Sequence, residues 1–188
     1  MAVALLLGAF GAATVFAMRL TIRTDIVAAL ASIRFPMKFL LMAAFAASSA
    51  AISIRLAQPG RTLHTPMLGV AAALLLLFVS VGIEMFATPA DQWMARANGT
   101  MSAACLTNIP LLAAPCLTAL LFALRHGAPS SPALSGAFAG ALSGALGAMA
   151  YAASCPDDSP LFVAIWYMGA IGVVCAAGAF AGSRLLRW

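Results

Sequence analysis

The chain has 188 residues, 64% of them hydrophobic and 8% charged, against about 45–50% and about 25% in an average soluble domain. These proportions exclude a water-soluble fold: roughly 120 apolar residues fill six spans of about 20 residues, the length that crosses a ~30 Å hydrocarbon core. The formal charge of +5 does not mark a nucleic-acid binder, because the basic residues are scattered singly and form neither a basic run nor a stacking platform. They read as topology signals and contacts to membrane lipids.

Apolar stretches run over about 1–18, 36–54, 67–86, 103–124, 132–153 and 161–183. They predict an all-α, polytopic membrane protein: one six-transmembrane-helix bundle with short loops, residues 1–188 forming a single domain. The first run follows no positive n-region, so it reads as a helix rather than a cleaved leader. The connections, about 19–35, 55–66, 87–102, 125–131 and 154–160, are short enough to make neighbouring helices antiparallel. Six crossings place the first, third and fifth connections on one face, A, and the second, the fourth and the C-terminus on the other, B. Face A carries Arg19, Arg23, Arg34, Lys38 and Arg96; face B carries Arg55, Arg61, Arg125, Arg184 and Arg187. The positive-inside count is therefore a tie and leaves the orientation open.

Pro110 and Pro115 fall inside the fourth span, where each removes a backbone donor and favours a kink. In the fifth span Gly136, Gly140 and Gly144 lie four residues apart on one face. Such a stripe lets another helix approach closely, either within the chain or across a homodimer seam.

Chemistry-bearing residues gather at face A. Cys105 and Cys155 are fifty residues apart, the length of two ~20-residue crossings plus a turn, so the chain leaves and returns at one membrane surface. On an oxidising side this pair can form a disulfide or sense thiol chemistry if its Cα atoms come within ~7 Å; two unrelated interface cysteines are the alternative. Cys116 and Cys175 lie deeper in their spans and read as packing residues. None of the four forms a C-x-x-C pair, which weighs against a thioredoxin-like site or a zinc knuckle. The run Cys155-Pro-Asp-Asp-Ser-Pro160 predicts a tight turn, with Ser159 and Pro160 as N-cap and first helical residue and Asp157 and Asp158 near the positive helix end. Alternatively, Asp157 or Asp158 tunes a thiol or joins Cys105 and Cys155 on a thiophilic metal ion. Glu84 sits near the end of the third span, where an ionisable residue is a functional candidate with Arg96 as a partner, or simply snorkels to the interface. Tyr151, Trp166 and Tyr167 read as interface aromatics. His64 and His126 fall in face-B connections, away from the thiols, and no catalytic residue or cofactor site is indicated.

Arg125-His-Gly-Ala-Pro-Ser-Ser-Pro-Ala-Leu-Ser-Gly-Ala-Phe-Ala-Gly140 and Tyr151-Ala-Ala-Ser-Cys-Pro-Asp-Asp-Ser-Pro-Leu-Phe-Val-Ala-Ile-Trp-Tyr167, together with Arg34-Phe, Lys38-Phe, Trp93, Cys105 and Pro110, resemble the NrsF family, membrane-embedded negative regulators of extracytoplasmic-function sigma factors. The resemblance implies a bacterial inner-membrane anti-sigma factor, not an enzyme, with both termini cytoplasmic and face A periplasmic. It implies a sigma factor of RNA polymerase as partner and maps the family's signal-responsive cysteines onto Cys105 and Cys155. Family members carry a polar segment before the first helix, whereas Met1 here stands at the helix start. The partner-facing surface left on face B is then Arg55–Pro66, Arg125–Ser131 and Arg184–Trp188. Two other classes compete with this reading. A membrane thiol–disulfide oxidoreductase needs a second dithiol beside the first, and a thiophilic-metal transporter needs ionisable groups near the bilayer midplane.

Overall fold

A computed structural model describes residues 2–58, 62–125, 127, 129 and 131–186. Its helices are α1 (Ala2–Arg19), α2 (Ile26–Ala31), α3 (Arg34–Leu56), α4 (His64–Ala87), α5 (Trp93–Asn98), α6 (Ser102–Leu124), α7 (Pro132–Ala152) and α8 (Pro160–Leu185). A single 3-10 turn, Ala90–Gln92, precedes α5, and no strand occurs among the described residues. Five helical stretches are long and apolar enough to cross a membrane, and α1 is a shorter apolar helix. The chain is thus all-helical with the character of a membrane protein. Face A gathers the C-terminal ends of α1, α4 and α7 and the N-terminal ends of α3, α6 and α8.

At the centre lies α7, packed against α8, α3 and α6; α1 packs on α6 and α4 on α3. The small residues of α7 make this possible, since in lipid the close approach of backbones replaces the hydrophobic drive. A Cβ added at Gly140 would stand 2.5 Å from the Val174 carbonyl oxygen, and one at Gly144 would stand 3.2 Å from the Ile171 Cα. Gly136 faces Gly178 and Gly182 of α8 in the same way. The Gly136/Gly140/Gly144 face is therefore covered by the chain's own α8, the within-chain packing of the two alternatives.

Helix α6 runs unbroken through Pro110 and Pro115. Gly11 of α1 lies against the Pro115 ring, and Gly8 lies against Cys116. Cys175 lies at the contact of α8 with Gly140. A π-helical stretch, Val163–Tyr167, interrupts the first part of α8. It shifts the register of the residues that follow, a device frequent at functional sites.

Candidate functional site

Cys105 lies in the first turn of α6, its amide donating to the Met101 carbonyl at 2.9 Å, and Cys155 follows the end of α7, its amide donating to the Tyr151 carbonyl at 3.1 Å. The two thiols are neighbours in the face-A core, 0% and 1% exposed. Both are free. Tyr151 and Tyr167 line the pair, with ring centroids 6.1 Å apart, and Phe162 packs on Tyr167 from the other side at 6.2 Å. The Tyr167 hydroxyl closes on the Cys155 sulfur without reaching hydrogen-bond geometry, which leaves it a buried polar atom with no partner. The Cys155 thiol is drawn below its ordinary value, first by contact with Cys105, against burial, and then by the Lys38 ammonium. Thiolate is the reactive form of cysteine, so this lowering favours reaction at Cys155.

Around the thiols the six residues 155–160 are fastened to four other parts of the chain. Lys38 of α3, 2% exposed, donates to the Cys155 and Asp157 carbonyls at 3.3 Å each and to Asp158 Oδ1 at 2.6 Å. Arg23, between α1 and α2, donates to Asp158 Oδ2 at 2.8 Å and to the Cys155 carbonyl at 3.3 Å. Its remaining donors grip Asp25 at 2.7 Å through two bonds, holding that carboxyl below its usual range. Glu84 of α4, 3% exposed, accepts from the Ser159 hydroxyl at 2.6 Å and the Leu161 amide at 3.1 Å. Arg34 and Arg96 each pair with the same carboxylate at 3.2 Å. Asp157 accepts from the Thr100 and Met101 amides at 3.0 and 2.9 Å, at the entrance to α6. The connection is thus a clasp: every acid it carries or touches is used by a different element.

Several sequence expectations change in this frame. Ser159 and Pro160 do stand at the N-cap and first helical positions of α8, but Ser159 makes no capping bond to its own helix. The carboxylate of Glu84, on the neighbouring α4, does that work by accepting from the Leu161 amide, one of the donors left unpaired at a helix start, where an anion is favoured. Tyr151 and Tyr167 are buried against the thiols rather than lying at the membrane interface, and the Trp166 indole donates to the Ala97 carbonyl at 2.8 Å. Of the metal candidates Cys105, Cys155, Asp157 and Asp158, Asp157 accepts from two amides and Asp158 pairs with two cations. No group of three or more metal-ligating side chains occurs among the described residues.

Glu84 does meet Arg96, as the sequence suggested, with Arg34 added. Of the face-B arginines, Arg55 donates to the Thr62 carbonyl at 2.6 Å, Arg184 lies over the Phe180 ring, and Arg125 is exposed at the end of α6. His64 is exposed at the start of α4. Arg61, Arg187 and His126 lie outside the described residues. Sequence reasoning missed Lys38 and Arg23 as site residues. The signal for Lys38 was its spacing: Phe35, Lys38, Leu41 and Met42 fall on the i, i+3, i+6, i+7 stripe that α3 buries.

With the geometry in place, comparison with known proteins is informative. A family model described as NrsF, negative regulator of sigma F, matches residues 1–188. The chain is 31% identical over 191 residues to a probable anti-sigma-F factor NrsF of Azospira oryzae, covering 96% of this chain and 85% of that protein. It is 34% identical over 84 residues to the anti-sigma-F factor NrsF of Caulobacter vibrioides, covering 45% of this chain and 39% of that one. No solved structure matches.

Proposed function

Because the chain belongs to the NrsF family, we propose that it is an anti-sigma factor that holds an extracytoplasmic-function sigma factor at the bacterial inner membrane and releases it when the Cys105–Cys155 pair is oxidised. Both termini and face B are cytoplasmic in this reading, face A is periplasmic, and Arg55, Arg61, Arg125, Arg184 and Arg187 contribute to the sigma-facing surface. The observation that carries it is the clasp. One short segment bearing Cys155 is tied to α3, α4, the start of α6 and the α1–α2 connection, so a covalent change at that cysteine bears on several helix ends at once. Helices are stiff levers, and a shift at face A has a counterpart at face B. Release then requires that the oxidised arrangement bind sigma more weakly than the reduced one, since a signal moves an equilibrium only through such a difference.

The placement of Cys116 against Gly8 and of Cys175 against Gly140 supports this reading over a thiol–disulfide oxidoreductase, because neither sulfur joins the first pair as a relay. The acids sit at face A in ion pairs and backbone bonds, which disfavours a cation-transport path through the bundle. The test is co-purification from reducing detergent extracts with the sigma factors of the source organism, using the chain with and without an added polar N-terminal segment. Retention of one sigma factor supports the proposal; failure of every combination contradicts it.

A further inference from the structure

Two buried cations hold the Cys155 segment: the side chains of Lys38 and Arg23 are 1% and 7% exposed, whereas those of Arg34 and Arg96 are 44% and 34% exposed. Arg23 divides its bonds between that segment and Asp25, and every bond of Lys38 goes to the segment. An ammonium has three donors, and here they are matched by three oxygens, two of them carbonyls of the cysteine's own segment. The ammonium also lies 5.6 Å from the centroid of Tyr167, the ring whose hydroxyl closes on the Cys155 sulfur. The other titratable or charged groups facing Cys155 are Cys105 from α6, Tyr151 from α7, Tyr167 from α8, Asp157 and Asp158 from its own segment, and Arg23. The Asp157 carboxylate is bound to the amides at α6, and Asp158 is neutralised between Lys38 and Arg23.

Resting on the reading of Cys105 and Cys155 as the signal pair, we propose that Lys38 is a positioning residue that makes Cys155, and not Cys105, the sulfur that attacks an incoming hydroperoxide. The Cys155 thiolate takes the distal oxygen of hydrogen peroxide, the O–O bond breaks, and the products are a Cys155 sulfenic acid and hydroxide. The Cys105 thiol then attacks the Cys155 sulfur, the S–O bond breaks, and the disulfide forms with release of water. Two electrons pass from the thiols to the peroxide, and the Cys105 proton leaves in the water. The same ammonium that favours the thiolate is hydrogen-bonded to the Cys155 carbonyl, so it also fixes the backbone that aims the sulfur. The lowering of the Cys155 thiol agrees with this geometry.

The test is site-resolved alkylation of the full chain in detergent by iodoacetamide, followed by mass spectrometry across pH, for the wild type, Lys38→Gln and Lys38→Arg. Glutamine keeps N–H donors for the carbonyls and loses the charge; arginine keeps the charge. In the wild type, Cys155 should reach half its limiting rate below the ordinary cysteine midpoint of about 8.5. Lys38→Gln should raise that midpoint by about one pH unit, slowing the reaction about tenfold at pH values well below the midpoint, with the same plateau in strong alkali; Lys38→Arg should restore the wild-type curve. A Lys38→Gln curve that superimposes on the wild type, or that changes only in plateau height as a loosened fold would, overturns the proposal. So does a wild-type midpoint at the ordinary cysteine value of about 8.5, a result that needs no variant to fold. Sigma release in Cys155→Ser tests the underlying reading separately: if release persists there while the Lys38 shift is found, the reading fails and the Lys38 assignment stands.

Discussion

Glu84 shows what a single carboxylate does at face A. It takes the Ser159 hydroxyl and the Leu161 amide while pairing with Arg34 and Arg96. Removing one partner from a buried ionic network costs about 3–5 kcal/mol, and the partial exposure of the two arginines puts this case at the low end. Glu84→Ala is therefore expected to lower unfolding stability by about 3 kcal/mol and to raise Cys155 alkylation at every pH, because the clasp then opens more often. Thermal unfolding in detergent and the labelling rate check both parts. At this scale the sequence was legible where the length of the chain decided the outcome, as for Cys105 and Cys155, whose separation brings them to one end. It was not legible where helix rotation decided it. Lys38 looks like any flanking cation until α3 turns it inward, and Tyr151 and Tyr167 look like interface aromatics until α7 and α8 turn them towards the sulfurs.

Among the elements, the contact of α7 with α8 rests on backbones that touch. At Gly140 the Cβ of alanine would meet the Val174 carbonyl, whereas at Gly172 nothing lies within 4 Å. Overpacking typically costs about 1–3 kcal/mol, while glycine in a helix is about 1 kcal/mol worse than alanine. Gly140→Ala is thus expected to destabilise the bundle, and Gly172→Ala to leave it unchanged or slightly more stable, as read by thermal unfolding of each variant. The apolar runs marked the long helices because each run approaches the width of a bilayer. The short helices α2 and α5 were hidden in connections, where six residues give no periodicity to read. The glycine stripe signalled a close neighbour; its spacing alone did not say whether that neighbour was α8 or a second copy.

For the whole molecule, the acids sort by face: all of those described lie on face A, four of them bonded in the clasp or to Arg23, and the described face-B connections hold arginines and no acid. The proposed orientation makes face A periplasmic. A cysteine introduced at exposed Asp91 should react with a membrane-impermeant maleimide on intact cells, and one at exposed Arg125 should react only after lysis; the reverse pattern would invert the orientation. The proposed function requires that a thiol event at face A pass to a binding event at face B. Its most direct measurement is the fraction of sigma factor retained on membranes before and after hydrogen peroxide, for the wild type, Cys105→Ser and Cys155→Ser. The proposed function requires loss of sigma from wild-type membranes and retention on both variants. Equal release from all three, or retention by the wild type under peroxide, would contradict it.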